Sequence, residues 1–245
     1  MITVNSIHSD ILIERPYLQS WSQLGVSQFY CLFDPSKFDE RLFHNLGINF
    51  DSSLANAVIK RKSEFLAGRY CAKQALLSLG IENFSVGIGA SRNPLWPSGV
   101  KGSISHCCQA AIAVVTQNSD VLGVGIDMED QVNDELLEQT KDYILQGSET
   151  HLLYQGNLSV ATMFTIIFSI KESFYKAAFS LVNAFFDFDA VTVLSVNDTS
   201  GEVVFQLNYS LHDRLQKGRV FTGEYSLRPS SKSDGSRIVT FVSIL

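Results

Sequence analysis

The chain is organised around residues 122–130, whose sequence is LGVGIDMED. The apolar run 121–126 predicts a buried strand that ends in carboxylates. Side chains two residues apart in a strand share a face, so Asp127 and Glu129 are expected to point the same way. Neighbouring carboxylates repel each other unless a positive group lies between them, and a divalent cation commonly takes that place. The stretch therefore predicts a metal site.

A second segment, residues 168–177 (FSIKESFYKA), adds the carboxylate of Glu172 and the ammonium groups of Lys171 and Lys176. Glu172 and Lys176 are four residues apart, so they lie on one face of a helix predicted over 163–179. On spacing alone, that pair is most simply an ordinary surface ion pair. Taken with the first segment, it predicts that both meet around one metal ion and one pyrophosphate.

Composition limits the classes of function. The 245 residues are 45% hydrophobic and 18% charged, which is typical of a globular protein. The net charge of −6 argues against a general nucleic-acid binder, and we expect no nucleic-acid partner. An anionic ligand would therefore need a local cluster of basic side chains.

One such cluster lies on a long helix predicted from a cap at 51–53 to residue 79. Arg61 and Arg69 lie eight residues apart, about 80° around the helix axis, so both can reach one anion. The charge pattern alone equally fits a solvated basic face. The loop 87–99 that follows is rich in Gly and Pro and contains Arg92.

Ser105 and His106 precede an apolar segment, 109–116, that the pattern leaves open as helix or strand. If a helix begins there, its free backbone N–H groups suit a phosphate. The Ser-His pair does not indicate a hydrolase, because adjacent side chains rarely meet and no Gly-x-Ser-x-Gly motif is present.

The remaining elements predict an α+β fold. We expect a strand at 27–33, a surface helix at 134–145, a loop at 147–156, and four antiparallel strands at 190–196, 202–209, 221–227 and 238–244. Helix followed by strands occurs in each half. We therefore expect two lobes, residues 1–118 and residues 119–245.

The cysteines and the apolar runs indicate a cytoplasmic protein. The four cysteines lack zinc-ligand spacing, and we expect reduced thiols. The N-terminus has no basic region followed by a long apolar one, unlike a secretory signal. Runs such as 163–170 are too short to span a bilayer.

Residues 125–129 (GIDME) and 168–176 (FSIKESFYK) together resemble the paired signature of the 4′-phosphopantetheinyl transferases. Residues 65–76 (FLAGRYCAKQAL), 93–97 (NPLWP) and 102–107 (GSISHC) are similar to the enterobactin branch of that family. The resemblance implies two pseudo-symmetric α+β lobes with coenzyme A in the cleft between them. It also implies that a carrier-protein serine attacks the coenzyme A pyrophosphate, takes the phosphopantetheine and releases adenosine 3′,5′-bisphosphate.

The resemblance also implies roles for individual residues. Asp127, Glu129 and Glu172 match the metal ligands, for Mg²⁺ with Mn²⁺ as the alternative, and Glu172 ranks above Asp127 as the general base. The coenzyme A contacts that it implies are Arg61 and Arg69 near the 3′-phosphate, Ser105 and His106 at phosphates, and the signature lysines Lys171 and Lys176, of which Lys176 is preferred. The chain departs from related sequences at 87–89, where a basic residue is absent and Arg92 is expected to substitute.

Three functions are compatible with these sequence features. The first is transfer of phosphopantetheine to aryl or peptidyl carrier proteins of a siderophore synthetase, by a two-lobed monomer. The second is another Mg²⁺-dependent nucleotide phosphotransferase or hydrolase, which the absence of a Gly-x-x-x-x-Gly-Lys-Ser/Thr loop disfavours. The third is a non-catalytic scaffold that binds coenzyme A. Calorimetry with Mg²⁺ and coenzyme A separates the enzymes from the scaffold, because a scaffold whose acidic and basic clusters merely neutralise each other should show no metal-dependent heat.

Overall fold

The computed structural model describes residues 11–14, 24–230 and 235–245. The N-terminal segment on which the expectation about a secretory signal rests lies largely outside the described residues. The described chain forms two antiparallel sheets, each carrying one long helix, and a small two-stranded ribbon. This is the predicted α+β class.

The N-terminal sheet has the strand order β1-β2-β6-β5, and every pair is antiparallel. Its strands are β1 (Leu12–Glu14), β2 (Val26–Phe33), β5 (Lys101–Cys107) and β6 (Ala110–Thr116), and β3 (Gly87–Ile88) pairs with β4 (Pro94–Leu95) in the ribbon. The segment 109–116, left open above, is thus a strand. Cys108 and Gln109 both have positive φ, which matches the twist of a tight hairpin turn between β5 and β6.

The long helix of this half begins later than predicted. A short helix, α1 (Arg41–Asn45), precedes a 3-10 turn at Ser52–Leu54, and α2 spans Ile59–Ser78. The carboxylate of Asp51 accepts the Ser53 N–H, so it caps the 3-10 turn instead of α2. Extended backbone at Val58 then separates the two elements. Gly80, with φ of +75°, ends the helix as predicted.

The C-terminal sheet has the order β7-β11-β10-β9-β8, again antiparallel throughout. Its strands are β7 (Gly123–Asp130), β8 (Val191–Val196), β9 (Glu202–Leu207), β10 (Val220–Pro229) and β11 (Ser236–Ile244), which confirms the predicted strands. Helix α3 (Asp134–Ile144) matches the predicted surface helix. The segment predicted as a loop at 147–156 contains a 3-10 helix, Gly147–Tyr154.

Helix α4 (Val160–Val182) packs across the C-terminal sheet and buries Phe164, Ile167 and Phe174. Ser159 caps its first turn by accepting the Thr162 N–H. The helix is longer than predicted at both ends and stops at Asn183, whose left-handed backbone is a common helix C-terminus. The signature carboxylate and lysines therefore lie on a rigid, mostly buried element.

The two sheets meet where their edge strands β5 and β7 run side by side. Ser103 Oγ accepts a hydrogen bond from the Ile126 N–H (3.1 Å), and Ser105 Oγ accepts one from the Met128 N–H (3.2 Å). Serine hydroxyls thus replace the backbone ladder that would otherwise join the two edges. A separate apolar cluster, which includes Ile126 and Phe241, fills the space between the sheets.

Arg237 adds a second link between the halves. Its fully buried guanidinium donates to Asp130 Oδ1 (2.8 Å) on β7, to the Cys108 carbonyl (3.0 Å), and to Tyr30 Oη (3.3 Å) on β2. One side chain therefore binds both sheets. None of the four cysteines forms a disulfide, although the sulfur atoms of Cys31 and Cys71 lie 3.4 Å apart. Within the part of the chain that the structure describes, no helix is long and apolar enough to span a membrane.

Candidate active site

Two glycines let helix α4 approach strand β7 at backbone contact distance. A Cβ at Gly125 would lie 1.8 Å from the Ser173 carbonyl oxygen, and one at Gly123 would lie 2.0 Å from that of Ala177. Neither glycine has a positive φ, so the close approach explains both. This contact places the Glu172–Lys176 turn of the helix directly over the carboxylates of β7.

Asp127 is almost fully buried, at 3% exposure, and each of its oxygens is hydrogen bonded. Lys176 Nζ lies 2.7 Å and Ser105 Oγ 3.0 Å from Oδ1, and Ser169 Oγ lies 2.8 Å from Oδ2. Lys176 also donates to Ser105 Oγ and to the Ile126 carbonyl. The buried negative charge is therefore neutralised by one lysine and held in a fixed orientation by two hydroxyls.

Glu129 and Glu172 complete an acidic group around Asp127. Burial, and then the charge of Asp127, raise the pKa of Glu129 to about 8 despite the opposing charge of Lys176. Burial and then Asp127 likewise raise the pKa of Glu172. Within the described residues, neither glutamate makes a hydrogen bond or an ion pair. The three carboxylates thus lie close enough to repel one another, with a single ammonium among them.

This arrangement differs from the metal site expected from sequence. Among the described residues, no three His, Cys, Asp or Glu side chains are positioned to hold a metal ion together. Both oxygens of Asp127 are instead hydrogen bonded by Lys176 and two serines. The residues nevertheless fit a hard cation, because Mg²⁺ needs only one or two protein carboxylates plus substrate oxygens and water. The free carboxylates of Glu129 and Glu172 can supply them, and a cation would relieve their repulsion.

A basic group lies on the other side of β5, against α2. Arg61 Nη1 and His106 Nε2 are 3.0 Å apart, and Glu64 lies 3.9 Å from each of these two residues. Burial, and then the positive charges of Arg61 and Lys176, lower the pKa of His106 to about 4. The imidazole is therefore neutral at pH 7, and the Arg61 side chain beside it is half-exposed.

Arg69 lies on the same helix, eight residues after Arg61. Its guanidinium stacks on the Phe65 ring (4.5 Å to the centroid) and donates to the Gly87 carbonyl, yet its buried Nε has no hydrogen-bond partner in the described structure. Burial, and then repulsion by Arg61, lower the pKa of Arg69 to about 10. An unpartnered buried donor beside a second cation is the chemistry of an anion site.

Two adjoining cavities connect these groups. One, of about 580 Å³, is lined by Arg61, Arg69 and His106. The other, of about 460 Å³, lies between the N-terminal sheet and α4 and is lined by Trp96 and Lys176, among others. Arg92 lines both. The two cavities therefore form one cleft with basic groups along its length, and Arg92 lies where the sequence expected a substitute for the missing early-loop charge.

One of the sequence predictions about the site is wrong, and one alternative that was left open is decided against the helix. Lys171, expected to contact coenzyme A, points into the protein: its side chain is 1% exposed, and its ammonium lies 2.7 Å from Glu149 Oε2. No phosphate can reach it, because its helix position faces the core. Ser105 and His106 lie on a strand, so no helix N–H groups serve a phosphate there. The His106 side chain itself lines the cleft, whereas Ser105 is buried and donates to Asp127.

Sequence reasoning missed several positioning residues. The role of Ser169, which fixes Asp127, could be found only from the fold, because 42 residues separate the two. The Gly-x-Gly within a buried strand was a usable signal, since glycine inside a strand often marks a close backbone approach.

Family comparisons agree with this geometry. Residues 50–116 match a model described as the 4′-phosphopantetheinyl transferase N-terminal domain, and residues 123–228 match the 4′-phosphopantetheinyl transferase superfamily. The chain belongs to the 4′-phosphopantetheinyl transferase family, whose enzymes transfer the phosphopantetheine group to carrier proteins.

The chain is also similar to individual members of this family. The chain is 34% identical to enterobactin synthase component D of Salmonella typhi over 214 residues, 87% of this chain and 84% of that protein. It is 36% identical to enterobactin synthase component D of Escherichia coli over 154 residues, 63% of this chain and 71% of that protein. It is 32% identical to the 4′-phosphopantetheinyl transferase PptT of Mycobacterium tuberculosis over 148 residues, 60% of this chain and 64% of that protein.

Proposed function

We propose that the donor is coenzyme A, that the acceptor is a serine hydroxyl of an apo carrier protein, and that adenosine 3′,5′-bisphosphate is released. The observation that carries this proposal is the cleft itself. At one end Arg61 lies beside Arg69, whose buried Nε donor has no partner in the described structure. At the other end the ammonium of Lys176 lies among three carboxylates. A ligand with a phosphate at one end and a pyrophosphate further along matches that spacing of charge.

The arginine end would hold the 3′-phosphate. Arg61 is half-exposed and Arg69 has the free Nε donor, so together they offer a fork of N–H groups to phosphate oxygens. His106, neutral at pH 7, can donate one further hydrogen bond without adding charge. Arg92, at the junction of the two cavities, would contact the phosphates between the two ends.

The acidic end would hold Mg²⁺ through Glu129 and Glu172, with Asp127 beside them. When bound, the ion neutralises charge on the pyrophosphate oxygens. Lys176 is the chain's own cation at that point, and because it lines the cavity, a phosphate oxygen would compete with Asp127 for its ammonium. Positioning and charge neutralisation are the main requirements of phosphoryl transfer.

Glu172 would act as the general base. Its carboxylate is free of hydrogen bonds in the described structure, so a lone pair is available to the attacking hydroxyl. The serine oxygen bonds to the phosphorus that carries the pantetheine while its proton passes to Glu172. The bond from that phosphorus to the bridging oxygen breaks, and adenosine 3′,5′-bisphosphate leaves with the electron pair.

The acceptor we propose is an aryl or peptidyl carrier domain of a siderophore synthetase. The support is the similarity to proteins named enterobactin synthase component D. We further propose that the lobes are residues 1–118 and 119–245 and that a single chain is sufficient, because both ends of the cleft come from one chain.

The test incubates the protein with coenzyme A, Mg²⁺ and a panel of purified apo carriers, and measures each carrier by mass spectrometry. We expect one phosphopantetheine to be added to a siderophore-type carrier. No mass increase on any carrier would overturn the proposal, and hydrolysis of ATP without coenzyme A binding would favour a different phosphotransferase. A Glu172→Gln change should lower kcat by at least about 100-fold because the base is lost. Glu138→Gln, on the surface of α3, is the matched control.

A further inference from the structure

Lys171 is the signature lysine that the active site does not use. Its ammonium donates to the Ile144 carbonyl (2.8 Å), to Glu149 Oε2 (2.7 Å), and to the Phe188 carbonyl at the longer distance of 3.4 Å. An ammonium has three N–H donors, so each of them has a partner. The side chain is buried, which is unusual for lysine and requires such complete pairing.

Glu149, its partner, is equally well satisfied. It is fully buried, and its oxygens also accept hydrogen bonds from the backbone N–H groups of Gln146 and Val193. The ion pair therefore connects helix α4 with the end of α3, the 3-10 helix Gly147–Tyr154, strand β8 and the turn at Phe188. Five pieces of chain converge on two charges.

Those pieces form the wall of a groove beside the proposed base. The groove, of about 320 Å³, is lined by Glu172 together with Tyr143, Phe188 and other residues of the 185–188 segment. The rings of Tyr143 and Phe188 meet edge to face at 5.5 Å, and Tyr143 Oη donates to Asp187. Lys171 binds the backbone carbonyls of Ile144, which follows Tyr143 in the chain, and of Phe188, which carries the second ring.

We propose that Lys171 is a positioning residue that acts through Glu149 to fix this groove and the rotation of α4, so that Glu172 faces the groove. The inference rests on the proposed function, in which Glu172 is the base. Consecutive helix residues point about 100° apart, so anchoring Lys171 in the core directs its neighbour outward. A buried ion pair adds little net stability but can select one geometry over its alternatives.

The main test is the double variant Lys171→Met/Glu149→Gln. It removes both charges together, so no unpaired buried charge remains, and glutamine can still accept from the Val193 N–H. The carbonyls of Ile144 and Phe188 lose their shared donor. We expect kcat to fall about 10- to 100-fold while the KM for coenzyme A changes less than about twofold, because small misplacements of a catalytic group affect the rate and not this binding. We also expect faster amide hydrogen exchange over residues 186–190.

The matched control is Lys141→Met/Glu138→Gln, which removes an ion pair on the surface of α3. It should leave kcat, KM and the exchange of 186–190 unchanged. Thermal unfolding checks that both double variants are folded. If the buried double variant does not fold, Glu149→Gln alone, which keeps the side-chain volume, should give a smaller fall in kcat at the same KM.

Three outcomes would overturn the inference: unchanged kcat in the folded double variant, a raised KM for coenzyme A with unchanged kcat, or unchanged hydrogen exchange over 186–190. A raised KM would return Lys171 to the role of a phosphate contact. Failure of the proposed function is recognised separately, because the wild-type protein would then modify no carrier, whereas the hydrogen-exchange comparison still tests the positioning.

Discussion

At the scale of single residues, some charged groups of the site have partners within the protein and others have none. Asp127 has Lys176 and two serines, whereas Glu129 and Glu172 have none and Arg69 keeps a buried donor free. Unpaired polar groups that are buried or half-buried are costly, so these positions are where a bound ligand would lower the free energy most.

Arg69→Met tests the anion end. Methionine keeps the apolar contact with Phe65 but removes the donors, so the KM for coenzyme A should rise about 10- to 100-fold, as expected for the loss of a charged hydrogen bond. Steady-state kinetics with a saturating carrier measures this. Lys60→Met, which removes an exposed charge from the same helix, is the control. An unchanged KM would contradict the placement of the phosphate at Arg69.

His106 makes stability depend on pH. Its pKa is about 4 in the folded protein and about 6.5 when unfolded, so between these values the unfolded chain binds the proton first. The contribution is therefore complete above pH 6.5 and is lost as the pH falls toward 4. We expect a loss of order 2 kcal/mol over that range.

Urea unfolding of the wild type and of His106→Gln at pH 7.5 and pH 4.5 measures this effect. Glutamine does not titrate, so the variant should lose less of its free energy of unfolding between the two pH values than the wild type does. Equal losses in both proteins would show that His106 is not held in its neutral form.

At the scale of elements, the contact between α4 and β7 builds the site. The sequence pattern predicted both elements, but the contact depends on Gly123 and Gly125, where the helix carbonyls take the space of a side chain. Alternation along β7 sets which carboxylates share a face, and the position of α4 decides that Lys176 reaches Asp127. Two correctly predicted elements therefore did not by themselves give the geometry of the site.

Gly125→Ala should separate these elements. Its Cβ would lie 1.8 Å from the Ser173 carbonyl oxygen, so the backbones must move apart, and we expect a loss of about 2–4 kcal/mol in the free energy of unfolding together with a fall in kcat. Gly147→Ala, where a Cβ meets nothing within 4 Å, is the control and should be near neutral. Denaturant titration and the carrier assay report both effects; a neutral Gly125→Ala would show that the contact can relax.

At the scale of the whole molecule, the cleft exists because two sheets are joined along one line. Serine hydroxyls join the edges of β5 and β7, and Arg237 binds Asp130 of one sheet to Tyr30 and the Cys108 carbonyl of the other. The cleft receives Arg61 and Arg69 from one half and Lys176 from the other. Its shape thus depends on a joint made largely of polar groups.

Arg237→Met should loosen that joint. Removing the guanidinium leaves Asp130 without its partner, and breaking a buried pair in this way costs about 3–5 kcal/mol. We expect a lower free energy of unfolding in urea and a higher KM for coenzyme A, because the ligand spans both halves. The control, Arg41→Met, breaks an exposed pair and should leave the free energy of unfolding nearly unchanged. Equal losses in the two variants would contradict the role given to Arg237.

The sequence by itself determined the α+β class, most strands and helices and the family, because alternation, helical spacing and short motifs are local properties of the chain. It also singled out residues 127, 129, 172 and 176 as site candidates. Only the tertiary structure decided that Lys171 points into the core and that Lys176 forms an ion pair with Asp127. It also decided that Ser169 and two glycines position the groups of the site. Those facts depend on which elements pack together, and packing joins residues that lie tens of positions apart, such as 127 with 169. Local patterns do not encode such pairs.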